Sequence, residues 1–144
     1  MFMSTYQHSF DTKGRVIVPA KLRAELGDSF VVTKGVDGCL YGFPTEEWNK
    51  FLVELNQLPN NKNGRRTKRY FMAGAAECDI DKQGRVLIPN MLREFASMEK
   101  EVVFVGMMTK FEIWSKDAWE RECAENGSDI DEAIEDLSEL GISL

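Results

Sequence analysis

Residues 11–23 read Asp11-Thr-Lys-Gly-Arg-Val-Ile-Val-Pro-Ala-Lys-Leu-Arg23, and seventy positions later residues 81–93 read Asp81-Lys-Gln-Gly-Arg-Val-Leu-Ile-Pro-Asn-Met-Leu-Arg93. Seven of the thirteen positions are identical, and Ile17/Leu87 and Val18/Ile88 exchange one branched aliphatic residue for another. The likeness extends outward: Phe10 aligns with Ile80 and His8 with Cys78. With one inserted residue, Gly35 aligns with Gly106, Phe43 with Trp114 and Trp48 with Trp119. Self-similarity at a fixed offset marks a duplicated unit, here of about 50 residues. A unit that small buries too little surface to be comfortably stable alone. The two copies are therefore expected to complete each other around a pseudo-twofold axis.

Each copy reads the same way. Tyr6, His8 and Phe10 alternate with Thr5, Gln7 and Ser9, the pattern of a strand with one face buried. In the turn Asp11-Thr-Lys-Gly-Arg15, Gly14 suits φ > 0 and Asp11 can fold its carboxylate onto nearby amides. Val16-Ile17-Val18 resumes as a strand. Pro19 suits the first position of a helix running through Lys21 to Leu26, and Gly27 suits its end. Phe30 to Lys34 and Cys39 to Phe43 are two more strands, joined by the hairpin signal Gly35-Val-Asp-Gly38. Thr45 is placed to cap a helix whose first turn holds Glu46 and Glu47. Trp48, Phe51, Leu52, Leu55 and Leu58 form its single apolar stripe. Ser115 and Trp119 open the matching helix of the second copy. Pro59 to Gly64 is a turn-rich break.

The composition is that of a globular protein: 43% hydrophobic and 29% charged residues in 144. No apolar run approaches the roughly 18 to 20 residues of a membrane helix. The first residues lack the order of a signal peptide. Export and membrane insertion are not expected, which leaves a cytoplasmic protein. The net charge of −6 is unevenly spread. Residues 117–144 hold ten carboxylates and one base, Arg121, for −9, leaving +3 on the remaining 116 residues. A basic body is compatible with a polyanion partner, because only the field within about a Debye length of the contact matters. Ile130, Ile134 and Leu137 give the acidic tail one apolar face, so a last helix is expected there.

The repeated turn presents a cation on a rigid support. Arg15 and Arg85, with Lys13 and Lys82 beside them, suit phosphate clamping or bidentate readout of guanine, and a two-stranded ribbon is narrow enough to enter a major groove. Asp11 and Asp81, with Gly14 and Gly84, read as turn supports, because an anion facing DNA would repel it. The bland alternative is that each aspartate simply pairs with the arginine of its own turn, or with one from a neighbouring subunit.

The motifs together resemble the MraZ family of bacterial transcriptional regulators. The likeness is carried by Met1-Phe2, Asp11-x-Lys-Gly-Arg15-x-x-x-Pro19, Arg69-Tyr-Phe-Met-Ala-Gly-Ala-Ala-Glu77 and Asp81-x-x-Gly-Arg85-Val-Leu-Ile-Pro89. Lys100-Glu-Val, Val105-Gly106 and Lys110-Phe-Glu-Ile-Trp114 continue it, and it runs from residue 1 to about 122. The resemblance implies an α+β fold of two tandem SpoVT-AbrB modules, of the swapped-hairpin or double-split β-barrel type, with peripheral helices. It places a first unit at 1–58, a linker and basic segment at 59–74, a second unit at 75–122 and an acidic helix or tail at 123–144. It further implies a nucleoid-associated cyclic homo-oligomer that binds double-stranded promoter DNA at the head of the division and cell-wall gene cluster. No cofactor, metal or small-molecule ligand is implied. The family's D-x-x-x-R signature falls on Asp11/Arg15 and Asp81/Arg85. The second turn carries its lysine one position earlier than the first, which leaves open whether both turns contact DNA equally.

Other cations have two readings each. Lys62, Arg65, Arg66, Lys68 and Arg69 suit phosphate contacts, or the solvated or subunit-facing side of a helix whose other side is Tyr70, Phe71 and Met72. Arg23 and Arg93, at matched helix positions, suit salt bridges between subunits as well as they suit DNA. Trp48, Trp114 and Trp119 read as core, and His8 as core or interface. An enzyme is the first rival function, but a thiol nucleophile would need His8 beside Cys39, Cys78 or Cys123, and no local motif supports that. The three cysteines form no C-x-x-C pair, which argues against a disulfide framework or zinc site. An antitoxin that pairs with a toxin, and a ring-forming scaffold without a DNA role, are the other rivals.

Overall fold

The computed structural model describes residues 1–126 and 129–144. Gly127 and Ser128, inside the acidic segment 123–144, lie outside the described residues. The first copy contributes β1 (Thr5–Ser9), β2 (Arg15–Ile17), α1 (Ala20–Leu26), β3 (Ser29–Lys34), β4 (Leu40–Phe43) and α2 (Thr45–Asn56). After α3 (Lys62–Ala73) come β5 (Ala76–Asp79), β6 (Arg85–Leu87), α4 (Asn90–Phe95), β7 (Glu101–Met107), β8 (Lys110–Ser115) and α5 (Lys116–Asn126). The acidic tail forms α6 (Ile130–Glu139). The mixture is α+β, as the patterning requires.

The copies are interleaved rather than set side by side. A six-stranded sheet has the order β1-β7-β8-β4-β3-β5, and β2 and β6 form a separate two-stranded ribbon. The outer strand β1 thus pairs with β7 of the other copy, and β5 with β3. All these pairings are antiparallel. At the centre of each sheet, equivalent residues of the repeat face one another: Val16 opposite Val86 in the ribbon, and Tyr41 opposite Glu112 between β4 and β8. One core serves both copies. Val16, Val18, Leu22, Phe30 and Val32 pack in the same cluster as Val86, Ile88, Leu92, Val102 and Phe104. Burial of this shared apolar surface is the stabilisation that a lone copy lacks.

Local signals hold with small shifts. Pro19 and Pro89 stand one residue ahead of their helices, in the cap position, with extended ψ of 133° and 141°. Pro44, and not Thr45, occupies the cap of α2, and no side chain bonds across it. Proline fixes φ but leaves its own carbonyl to start the helix, and the Trp48 amide donates to the Pro44 oxygen at 2.9 Å. The break after α2 is shorter than the residue types suggest. The Asn61 side chain accepts from the Gly64 amide at 2.8 Å and caps α3, so Gly64 is helical. A side chain at Gly64 would run into the Pro59 carbonyl, which explains a glycine inside a helix. Ser115 does cap α5, its Oγ accepting from the Ala118 amide at 3.1 Å.

The basic segment is therefore mostly the helix α3, and it is firmly anchored. Phe71 stacks on Tyr41 and meets Phe51 edge-on, the Phe71 carbonyl accepts from the buried Thr33 hydroxyl at 2.7 Å, and the Tyr70 hydroxyl donates to the Gly35 carbonyl at 2.6 Å. Lys62, Arg65, Arg66 and Arg69 are left exposed, with Lys68 partly covered. Trp48 and Trp114 are buried and Trp119 half-buried. Of the apolar face of α6, Ile134 is partly covered while Ile130 and Leu137 are exposed.

Candidate nucleic-acid interface

The two D-x-x-G-R turns close by the same hydrogen bonds. The Asp11 amide donates to the Arg15 carbonyl (2.8 Å) and the Gly14 amide to the Asp11 carbonyl (3.1 Å). Asp11 Oδ1 accepts from the amides of Lys13 and Arg15, both at 2.9 Å. Its Oδ2 accepts from Arg15 Nε at 2.7 Å. In the second turn Asp81 Oδ1 accepts from the amides of Gln83 (2.9 Å) and Arg85 (2.8 Å), and Oδ2 from Arg85 Nε at 2.9 Å. Each aspartate thus fastens both the loop backbone and the arginine that follows it. The Arg15 amide, with the Arg15 side chain and the Lys13 amide, holds the Asp11 carboxyl down to about 2. Asp81 is lowered in the same way, by the Arg85 amide first.

Pinning Nε leaves the Nη edge of Arg15 without a partner among the described residues. That is the edge with which a guanidinium makes paired hydrogen bonds. The second turn differs: Gln83 Oε1 accepts from Arg85 Nη2 at 3.3 Å. The side chains of Arg15 and Arg85 are 31% and 28% exposed, so both stay accessible. Lys13 and Lys82 are exposed.

The ribbon sets these groups on one face. Val16 and Val86 point inward and are 1% exposed, so residues 15, 17, 85 and 87 point outward. Arg15 stands opposite Leu87 and Arg85 opposite Ile17. The two arginines occupy one diagonal of a small array, related by the axis between the valines.

Arg23 and Arg93, which suit salt bridges between subunits as well as DNA, each lie over the turn of the other copy. Gly14 has φ +81° and Gly84 φ +79°, and both glycines are buried. What covers them is an arginine of the other copy: Arg93 lies over Gly14, and Arg23 over Gly84. Arg93 Nε also donates to the Ile88 carbonyl at 3.0 Å, and its guanidinium sits 5.8 Å from the centre of the Phe10 ring. A side chain larger than hydrogen at either glycine would collide with these guanidinium groups. The identical spacing of Gly and Arg in both copies was the available signal, but their crossing depends on how the copies interleave. The cations of α3 belong to a different element from the ribbon.

His8 is half-buried with its ring edge-on to Phe104 at 6.1 Å. Burial, and then the charge of Arg23, lowers its pKa. Cys39 and Cys78 are buried thiols. Burial pushes Cys39 upward and Cys78 up to about 11, the reverse of what a thiolate nucleophile needs. Among the described residues no group of three or more His, Cys, Asp or Glu is placed to hold a metal ion, and no helix is long and apolar enough to cross a membrane.

The family model described as "MraZ protein, putative antitoxin-like" matches residues 1–70 and again 71–137. The chain belongs to the MraZ family. It is 53% identical over 143 residues to "Transcriptional regulator MraZ" of Lachnoclostridium phytofermentans, covering 99% of each chain. A protein of the same description from Thermoanaerobacter pseudethanolicus is 51% identical over 143 residues, covering 99% of this chain and all of its own length. The one from Ligilactobacillus salivarius is 52% identical over 141 residues, covering 95% of this chain and 99% of its own.

Proposed function

We propose that this MraZ-family chain is a non-enzymatic, cytoplasmic transcriptional regulator that reads promoter DNA with the β2–β6 ribbon. One observation carries the reading. Two arginines, each fixed by an aspartate of its own turn, share the outward face of a two-stranded ribbon built from both copies. Arg15 and Arg85 read guanine edges, and Lys13 and Lys82 hold phosphates. Asp11, Gly14, Asp81 and Gly84 set the turns. The interleaved pairing of β1 with β7 and of β5 with β3 supports the swapped-hairpin, double-split barrel expected of tandem SpoVT-AbrB units at 1–58 and 75–122. On this reading 59–74 is the connection and 123–144 an acidic appendage.

A single ribbon offers few phosphate contacts, which gives weak binding at cellular salt. A closed ring of identical subunits repeats the ribbon at fixed spacing, so neighbours engage successive direct repeats, and linkage raises affinity through effective concentration. The ring, associated with the nucleoid, represses its own operon and the division and cell-wall gene cluster that follows. The basic face of α3 suits contacts between subunits or to flanking phosphates. Footprinting of the DNA upstream of the chain's own gene tests this. The wild type is expected to protect repeated short elements. Arg15→Ala should keep the oligomeric mass and lose the protection; normal affinity in that variant would refute the assignment.

The antitoxin reading finds support in the wording of the family description and in the uncovered apolar residues of α6. Copurification of a small partner protein that needs residues 129–144 would favour it.

A further inference from the structure

We infer that Ile17 and Leu87 form a methyl-reading site for thymine on the same ribbon face. The inference rests on the DNA-reader assignment and specifies what that surface recognises besides guanine.

The repeat itself sets these two residues apart. Within residues 11–23 and 81–93 six positions differ between the copies, and four of them change character: Thr12/Lys82, Lys13/Gln83, Ala20/Asn90 and Lys21/Met91. Only Val18/Ile88 and Ile17/Leu87 keep a branched aliphatic residue in both. For Val18 and Ile88 the reason is the core, where both are fully buried. The core cannot be the reason for the other pair, because Ile17 is 44% and Leu87 56% exposed.

Single exposed aliphatic residues are ordinary, but these two sit inside the candidate site. Each stands directly opposite an arginine, Leu87 across from Arg15 and Ile17 across from Arg85, so the outward face is a two-by-two array with cations on one diagonal and aliphatics on the other. A target with both kinds of group at that spacing matches it. On the floor of the major groove, guanine offers paired acceptors, and the C5-methyl of thymine is the apolar feature. Directly opposed side chains lie about 5 Å apart at Cβ, and stacked base pairs rise about 3.4 Å. Each arginine–aliphatic pair therefore spans one or two steps, which requires a thymine within about two base pairs of each guanine read.

Replacing thymine by deoxyuridine removes the methyl and leaves every hydrogen-bonding group in place. The probe is the duplex upstream of the chain's own gene, prepared with thymine and with deoxyuridine. Wild-type affinity should fall on the order of fourfold for each thymine methyl that Ile17 or Leu87 covers. The Ile17→Ala/Leu87→Ala double variant should bind the thymine duplex more weakly and the two duplexes alike, and Ile17→Val should restore part of the preference. Equal wild-type affinity for both duplexes, or an undiminished deoxyuridine penalty in the double variant, would overturn the inference. So would a change in the oligomeric mass of the double variant, which would assign this face to a second copy of the chain. Failure of the wild type to bind the thymine duplex at all is a separate result, and it would remove the DNA-reader assignment itself.

Discussion

The guanidinium of Arg93 covers Gly14 of the opposite copy so closely that its Cζ and Nη2 lie 2.9 Å from where a Cβ would stand. The first turn is therefore held from two sides, by Asp11 within the loop and by Arg93 across the axis. Gly14→Ala meets one main penalty, a left-handed backbone at φ +81°, and must also push aside the Arg93 guanidinium, the movable end of a long side chain. The backbone alone costs about 1–2 kcal/mol, so denaturant unfolding should show at least that loss. Arg93→Ala relieves the collision, and Gly14→Ala in that background should lose less than in the wild type.

Arg15 and Arg85 should not contribute equally. Arg85 shares Nη2 with Gln83, whereas the Nη edge of Arg15 has no partner among the described residues. A good bidentate contact to guanine is worth about 1–3 kcal/mol of discrimination. Arg15→Ala should cost that much specificity in a competition assay, and Arg85→Ala less. Gln83→Ala frees the second guanidinium and should raise the effect of losing Arg85.

Lys13 serves charge rather than readout in the proposed complex. Lys13→Ala should weaken binding to specific and nonspecific duplexes by a similar factor, and it should lower the slope of log affinity against log salt by about one. A change confined to the specific sequence would reassign Lys13 to base contact.

Two titrations link the site to pH. Asp11 is held down to about 2, so the stability it lends is present above the ordinary carboxylate range and is lost as pH falls through about 2. Its carboxyl NMR shift should titrate near there, and Arg15→Ala should move that midpoint upward. His8 is also lowered, by burial and then by Arg23, so its neutral form suits the fold. Its contribution is complete above about 6.5 and is lost as pH falls through the lower folded midpoint. The melting temperature should therefore drop on mild acidification, and His8→Gln should flatten that drop.

Most of the architecture was legible because local rules and the repeat agreed. The alternation of Tyr6, His8 and Phe10, the glycine-bearing turns and the proline-started helices each carry their own signal. The pairing of Asp11 with Arg15 followed from a spacing that a tight turn brings together. What escaped were relations between distant segments. Nothing local tells that Arg23 and Arg93 exchange places across the axis, because that depends on β2 pairing with β6. Gly64 reads as a turn residue from its type and its neighbours Asn60, Asn61 and Asn63. Tertiary contact decides otherwise: the carbonyl of Pro59 crowds it, and the Asn61 cap makes the segment helical. Val16, Ile17 and Val18 read together as a strand without a stated inner side, and the inward turn of Val16 and Val86 puts Ile17 and Leu87 outside.

The facing of Val16 and Val86 has an evolutionary corollary. Two separate identical chains meeting at such a point must present the same residues on both sides, and the tract they recognise must read alike in either direction. Joining the halves in one polypeptide removes that constraint, and the halves do differ, with Lys13 in one turn and Gln83 in the other. A ribbon of this kind has a left and a right, so any surface that matches it has a direction too.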